Sequence, residues 1–137
     1  MGLFNFPQVD SNVKVIFSID GDEYEVEQFK IGFHQSVDST KNQPEGEVRG
    51  GRILITLSQT VKDNIYGWAM KNWVRKGGSI LFKTGTAGVV FDVSFTNAYC
   101  VNLKRVINAN GQGLTTALTI SPETVSVNGV EMDNCWE

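Results

Sequence analysis

At 137 residues, with 41% hydrophobic and 20% charged side chains, the chain is long enough for a hydrophobic core and too ordinary in composition to be disordered. Its formal charge of -3 argues against a nucleic-acid partner, because such domains usually carry a basic surplus. No apolar run approaches the roughly 20 residues of a membrane helix, so membrane insertion is not expected.

Residues 1–12 read as an N-terminal extension, with Phe4, Phe6 and Pro7 available to pack on a neighbour or to fray. The segment has no basic n-region and no long apolar h-region, so cytoplasmic synthesis without a signal peptide is expected. Met1-Gly2 could open a myristoylation motif, but Phe6 stands where Ser or Thr is required.

From Val13, residues 13–137 read as a single domain. Val13, Val15, Phe17 and Ile19 alternate with Lys14 and Ser18, the period of a half-buried strand. Asp20-Gly21 is a hairpin turn signal. Tyr24 and Val26 share one face and Glu23, Glu25 and Glu27 the other, after which Phe29, Ile31 and Phe33 take the opposite parity. That shift predicts a β-bulge. The three glutamates could form an acidic binding face, but a solvated strand face is the plainer reading. Between Gln35 and Gly51 the alternation stops, and the segment reads as a long polar loop.

Ile53, Ile55 and Leu57 predict the next strand. A helix is expected over about 61–75. Thr60 would be its N-cap, with Asp63 three residues on. Val61, Ile65, Trp68, Ala69 and Trp73 would form its apolar stripe. Lys71, Arg75 and Lys76 would complement its dipole, and Gly77-Gly78 would stop it. Tryptophans on such a stripe are more often core than a ligand platform. Ser79–Thr84 reads as a short strand and GTAG as a turn. A very long alternating run follows, from Val89 to Leu103, with a bend predicted near Thr96-Asn97-Ala98. A strand of that length can serve two sheets. Leu114 to Ile120 makes a further strand, and Asn128-Gly129 a closing hairpin.

Catalytic and ligand chemistry finds no foothold. EVRGGR (residues 47–52) pairs glycine with arginine, as phosphate-binding loops do, but it precedes a strand and no helix N-terminus follows it. There is no GxGxxG and no GxSxG. Cys100 and Cys135 have no CxxC spacing; they could form a disulfide, but two free thiols in a reducing compartment are the plainer reading, while His34, the single histidine, gives them no metal-binding company and reads as a surface or edge residue. No cofactor or metal is implied.

Several segments in a fixed order carry a resemblance. They are Asp20-Gly21 with Tyr24, the polar loop closing on Val48-Arg49-Gly50-Gly51, the strand ILITL, the helix with Trp68 followed by Lys76-Gly77-Gly78-Ser79-Ile80, the long strand through Phe95-Thr96-Asn97-Ala98-Tyr99-Cys100-Val101, the strand end Leu118-Thr119-Ile120-Ser121, and the late Trp136. Together, over residues 13–137, they resemble the Hcp (TssD) tube proteins of type VI secretion systems, in the version found in Bacteroides-like bacteria. Order and spacing make the match, since no one motif is diagnostic.

The resemblance implies a mainly β fold, a small barrel of two packed antiparallel sheets with one helix on the side. It implies a structural, non-enzymatic subunit whose hexameric rings stack into a hollow tube. A contracting sheath would drive that tube out of the cell. Its partners would be other copies of itself and the sheath, spike and effector proteins. Its destination would be the extracellular space or a target cell. Phage tail tube proteins share the architecture and are the alternative reading. A small-ligand β-barrel is a second alternative, from a different class.

Under this resemblance Glu45, Glu47, Arg49 and Arg52 would be ring or stacking contacts, with Gly50 and Gly51 turning the chain into the strand. Phe17, Phe33, Ile55, Trp68, Phe91, Phe95 and Tyr99 would fill the core.

Overall fold

The alternating segments become eight strands in a computed structural model that describes residues 14–38, 43–85, 88–111 and 113–134, with backbone alone over 34–38 and 43–49. The order along the chain is β1 Lys14–Ile19, β2 Asp22–Asp38, β3 Gln43–Leu57, α1 Asp63–Met70, β4 Lys76–Thr84, β5 Gly88–Ile107, β6 Leu114–Ser121, β7 Thr124–Val127 and β8 Val130–Asp133. All the pairings are antiparallel. Six strands close on themselves in the order β4-β1-β2-β3-β6-β5, because β5 also pairs with β4. The β7–β8 hairpin hangs from β5.

Two long strands make the closure possible. β2 pairs with β1 up to Glu25, then crosses a register shift between Val26 and Gln28 and pairs with β3. That shift is the bulge read from the change of parity. β5 does the same at its middle. It pairs with β4 as far as Ala98, and Asn97 takes a positive φ of 54° at the bend. From Tyr99 on, β5 pairs with β6. β6 and β7 lie along the same edge of β5; the register shifts between Cys100 and Asn102 and then runs on unchanged from Cys100↔Ile120 through Tyr99↔Ser121 to Val93↔Val127. They are separated at Pro122, which has no N–H to give to the ladder.

The inward faces meet in one apolar core. Phe17, Phe95 and Trp68 are fully buried and stack in a row, with ring centroids 6.4 Å apart at each step. Tyr24 lies 6.2 Å from Phe17, and its hydroxyl accepts the backbone N–H of Lys62 at 3.3 Å. Phe29, Phe82 and Phe91 form a second, edge-to-face group that packs on the core. Ile55 is buried, and Tyr99 is half-buried with the Arg75 guanidinium 5.6 Å above its ring. Phe33 departs from the expected core, since 43% of it is exposed. A second register shift falls between Gly32 and Phe33, and β6 joins β3 only from Ile53 onward.

The helix is shorter than its apolar spacing suggested, Asp63–Met70 in place of about 61–75. Lys62, not Thr60, is the N-cap, and it makes no side-chain cap bond. Val61 is buried from an extended segment, while Trp73, beyond the helix end, is 70% exposed. The last helical turn holds no basic residue. Lys76 instead begins β4 and pairs with Asp20 at 2.6 Å, a contact that holds the Asp20 carboxyl below its ordinary range. Gly77 and Gly78 lie inside β4 and do not stop the helix. A Cβ on Gly78 would meet the Ser18 carbonyl oxygen at 2.8 Å and the Phe95 ring at 2.9 Å. The glycine there serves close packing of β4 on β1 and the core.

Candidate functional site: the arm, the open edges and the outer sheet faces

Within the polar stretch, residues 35–38 and 43–51 are strand and not loop. They belong to a two-stranded arm, in which Phe33 pairs with Gly50, His34 with Arg49, Ser36 with Glu45 and Asp38 with Gln43. β6 joins β3 only from Ile53 onward, so the arm pairs with itself alone. A two-stranded ribbon that no third strand joins is not held to the alternation of a core-facing sheet, which is why the sequence pattern is absent there. The side chains of His34, Glu45, Glu47 and Arg49 lie outside the described residues, as do the N-terminal extension, Cys135 and Trp136.

The base of the arm is well defined. Gly50 and Gly51 take φ of 126° and 75°. The Asn134 side chain clamps the first of them. Its Nδ2 donates to the carbonyl oxygens of Gly50 and Pro122, each at 3.0 Å, and its Oδ1 accepts the Gly50 N–H at 3.4 Å. Gly51 is buried against Phe33, Val125 and Met132. Arg52, two residues on from Gly50, is exposed on the outer face of the sheet.

The four-stranded sheet β2-β3-β6-β5 ends in two edges. Beyond Val26, β2 has β3 on one side and no strand on the other among the described residues. β5 has β6 on one side, and its other edge carries no strand after Ala98 among the described residues. The end of α1 borders that edge at Tyr99–Val101, where Ala69, Met70, Lys71 and Asn72 face it across a shallow groove. The helix is fastened there by Trp68, whose Nε1 donates to the Ala98 carbonyl at 2.9 Å, and by Tyr66, whose hydroxyl accepts from Arg105 at 2.6 Å.

No cluster of three or more His, Cys, Asp or Glu that could hold a metal occurs among the described residues. No helix there is long and apolar enough to cross a membrane. Cys100 is a free, buried thiol, and burial pushes its pKa up to about 11 from the ordinary 9.0. A thiol raised by two units holds about a hundredfold less thiolate at pH 8. Alkylation of Cys100 at pH 8 should therefore be at least that much slower in the folded protein than in urea, as read by mass spectrometry of the labelled peptide. Equal rates would place the thiol in solvent. The linkage has a definite sign. The contribution of this group is fully present below pH 9, where both states hold the proton, and is lost as pH rises towards about 11.

A closed β-ring filled by its own side chains, with open sheet edges and a self-paired arm, has the make-up of an assembly subunit rather than of a ligand-binding barrel. The family model described as hemolysin coregulated protein Hcp (TssD) matches residues 11–137. The chain belongs to that family, and it is a subunit of the type VI secretion tube.

Among solved structures it is similar to Hcp1 from Flavobacterium johnsoniae, at 29% identity and a TM-score of 0.78, over 88% of this chain and 99% of that one. Hcp1 from Salmonella typhimurium shares the fold at 12% identity and a TM-score of 0.68, over 88% and 91% of the two chains. Hcp3 from Pseudomonas aeruginosa shares it at 12% identity and a TM-score of 0.57, over 91% and 99%. No curated protein gives a significant match. Hcp proteins are structural tube proteins that the type VI apparatus secretes.

Proposed function

We propose that copies of this chain join edge to edge into a hexameric ring, that rings stack into a hollow tube, and that the tube carries effectors and is driven out by a sheath, behind a spike. One observation carries the ring: the sheet β2-β3-β6-β5 has two edges that no strand pairs among the described residues, and they belong to strands that run in opposite directions. The β2 edge of one copy set beside the β5 edge of the next would continue the antiparallel ladder. That contact joins two different surfaces, so it repeats around an axis instead of stopping at a dimer. Open edges of this kind are a liability in a monomer, and assembly removes it. Such a subunit needs no catalytic group.

The arm is the stacking element in this proposal. Glu45, Glu47, Arg49 and Arg52 supply its charges, and Gly50 and Gly51 set its direction. A ring of six carries a formal charge of -18, so association between rings should depend on salt through local pairing of such charges. Light scattering on a sizing column tests the ring, with a mass near six subunits expected. A clean monomer at high protein concentration and low salt would remove it. The Arg49→Glu variant tests the arm separately: the ring mass should persist while stacked tubes in electron micrographs become fewer and shorter. Tubes of unchanged length would exclude Arg49 from stacking.

A further inference from the structure

The chain before β1 begins where the edge of β2 becomes bare. β1 and β2 pair from Ile19↔Asp22 to Ile16↔Glu25 and then part. Lys14 and Val15 face Glu25, Val26 and Glu27 across the cleft that opens there. The residues before Lys14 therefore start at the point where β2 loses its neighbour, on a strand that already runs antiparallel to it. From there residues 28–33 of β2 pair with β3 alone among the described residues, between the bulge after Val26 and the arm. Phe29 and Ile31 in this stretch pack on the core, and Phe33, two residues on, is 43% exposed. A bare edge that ends beside an uncovered aromatic ring is what one more strand would complete.

We propose that residues 8–13 of the same chain add to this edge as a further strand in the free subunit, and that they must leave it before the ring can close. The lengths agree. Residues 8–13 lie between Pro7, which has no N–H to give to a ladder, and β1, and they match residues 28–33 one for one. The parity agrees too. Val15, Phe17 and Ile19 are the core-facing residues of β1, and the same alternation brings Val13, Ser11 and Val9 to the side of Phe29, Ile31 and Phe33. Asn12 and Asp10 then fall on the side of Lys30. Asp10 is the one ionisable side chain of residues 1–13, and Lys30 is the one of residues 28–33. Opposite charges on neighbouring strands favour the pairing. The family match begins at residue 11, so much of this strand belongs to the individual chain and not to the shared fold. The same β2 edge is the one that a neighbour's β5 takes in the ring proposed above. The opposition to ring closure rests on that reading, and the strand contact does not.

The test uses the full chain and hydrogen exchange read by mass spectrometry, at a dilution where light scattering shows one subunit. Protection seen there cannot come from a neighbouring copy. The double variant Val9→Pro with Ser11→Pro removes two N–H groups from the added strand and breaks its ladder. Peptides covering residues 28–33 should exchange their edge amides about tenfold faster in this variant than in wild type, while β6 peptides keep their rates. Leu3→Pro, outside the added strand, should exchange as wild type does. All these positions precede β1, and thermal melting confirms that each variant folds. As concentration rises, the double variant should reach ring mass at a concentration about tenfold lower than wild type, since a larger fraction of its subunits has the edge free. The proposal is overturned if residues 28–33 exchange alike in the two chains, or if both reach ring mass at the same concentration, and the ring stands in the second case. A wild-type chain that keeps its ring mass at every dilution also overturns it, because the edge would never be free for residues 8–13. If neither chain associates at any concentration and the exchange still differs, the strand contact is upheld and the ring is removed.

Discussion

Replacing Trp68 by alanine is expected to destabilise the protein by about 3–5 kcal/mol, the range for removing a large buried aromatic side chain. The indole does three things at once. It fills the space between the helix and the bend of β5 and is 1% exposed. It stacks on Phe95 with the rings 4° from parallel, which continues the row to Phe17. It donates its N–H to the Ala98 carbonyl, at the point where β5 leaves β4. A helix of eight residues cannot hold itself together in water, so α1 depends on this anchor. Trp68→Phe keeps much of the packing and loses the hydrogen bond, and should cost about 1–2 kcal/mol. Trp73→Ala, at a position that is 70% exposed, should change stability by less than about 0.5 kcal/mol. Urea unfolding followed by far-ultraviolet circular dichroism compares the three. A loss below about 1 kcal/mol for Trp68→Ala would mean that α1 is not part of the cooperative unit.

The parts of the fold that could be read from sequence are those in which one strand face meets the core. Val15, Phe17 and Ile19, and Phe91, Val93 and Phe95, alternate because each strand has one dry side. The bulge after Val26 was legible for the same reason, since the dry side changes parity there. The arm was not legible. Residues 33–38 pair with 43–50 and no third strand joins them among the described residues, so no sheet interior holds them to a period. The helix was overextended because Val61, Ile65, Trp68 and Trp73 fall at helical spacing. Val61 reaches the core from extended backbone, and Trp73 does not reach it. Gly77-Gly78 imitated a helix stop while serving the approach of β4 to Ser18 and Phe95.

That Lys30, Arg52 and Lys104 share one sheet face was out of reach of sequence reading altogether. Lys30, Arg52 and Lys104 are far apart in the chain, and only the register across four strands brings them to one surface. Glu23 and Glu25 read as a plain solvated strand face, and the structure leaves both exposed on β2. Family membership could be recognised earlier because it rests on the order of several segments, and order survives where local pattern fails.

The glycines of EVRGGR are explained by the base of the arm, and Gly50→Ala should therefore be among the most damaging small substitutions in the chain. A methyl group there would lie 2.6 Å from the Gly32 carbonyl oxygen and 2.8 Å from the Phe33 Cα. Both are backbone atoms of the partner strand and cannot rotate away. The φ of 126° is in addition a conformation that side-chain-bearing residues rarely adopt. Strain and overpacking together suggest a loss of roughly 2–4 kcal/mol, unless the arm pulls away from β2. Asn134→Ala removes the clamp without touching the backbone at Gly50 and should cost about 1–2 kcal/mol, through the carbonyls of Gly50 and Pro122 that it leaves without that donor. Urea midpoints and light-scattering mass, measured on both variants, separate two roles for this junction. If Gly50→Ala lowers the midpoint and ring mass survives, the junction serves the subunit's own fold. If ring mass or stacking fails in Asn134→Ala while its midpoint barely moves, the junction aims the arm at its neighbour. A Gly50→Ala protein with wild-type stability and wild-type assembly would show that the chain does not take the tight turn at Gly50 on which both roles depend.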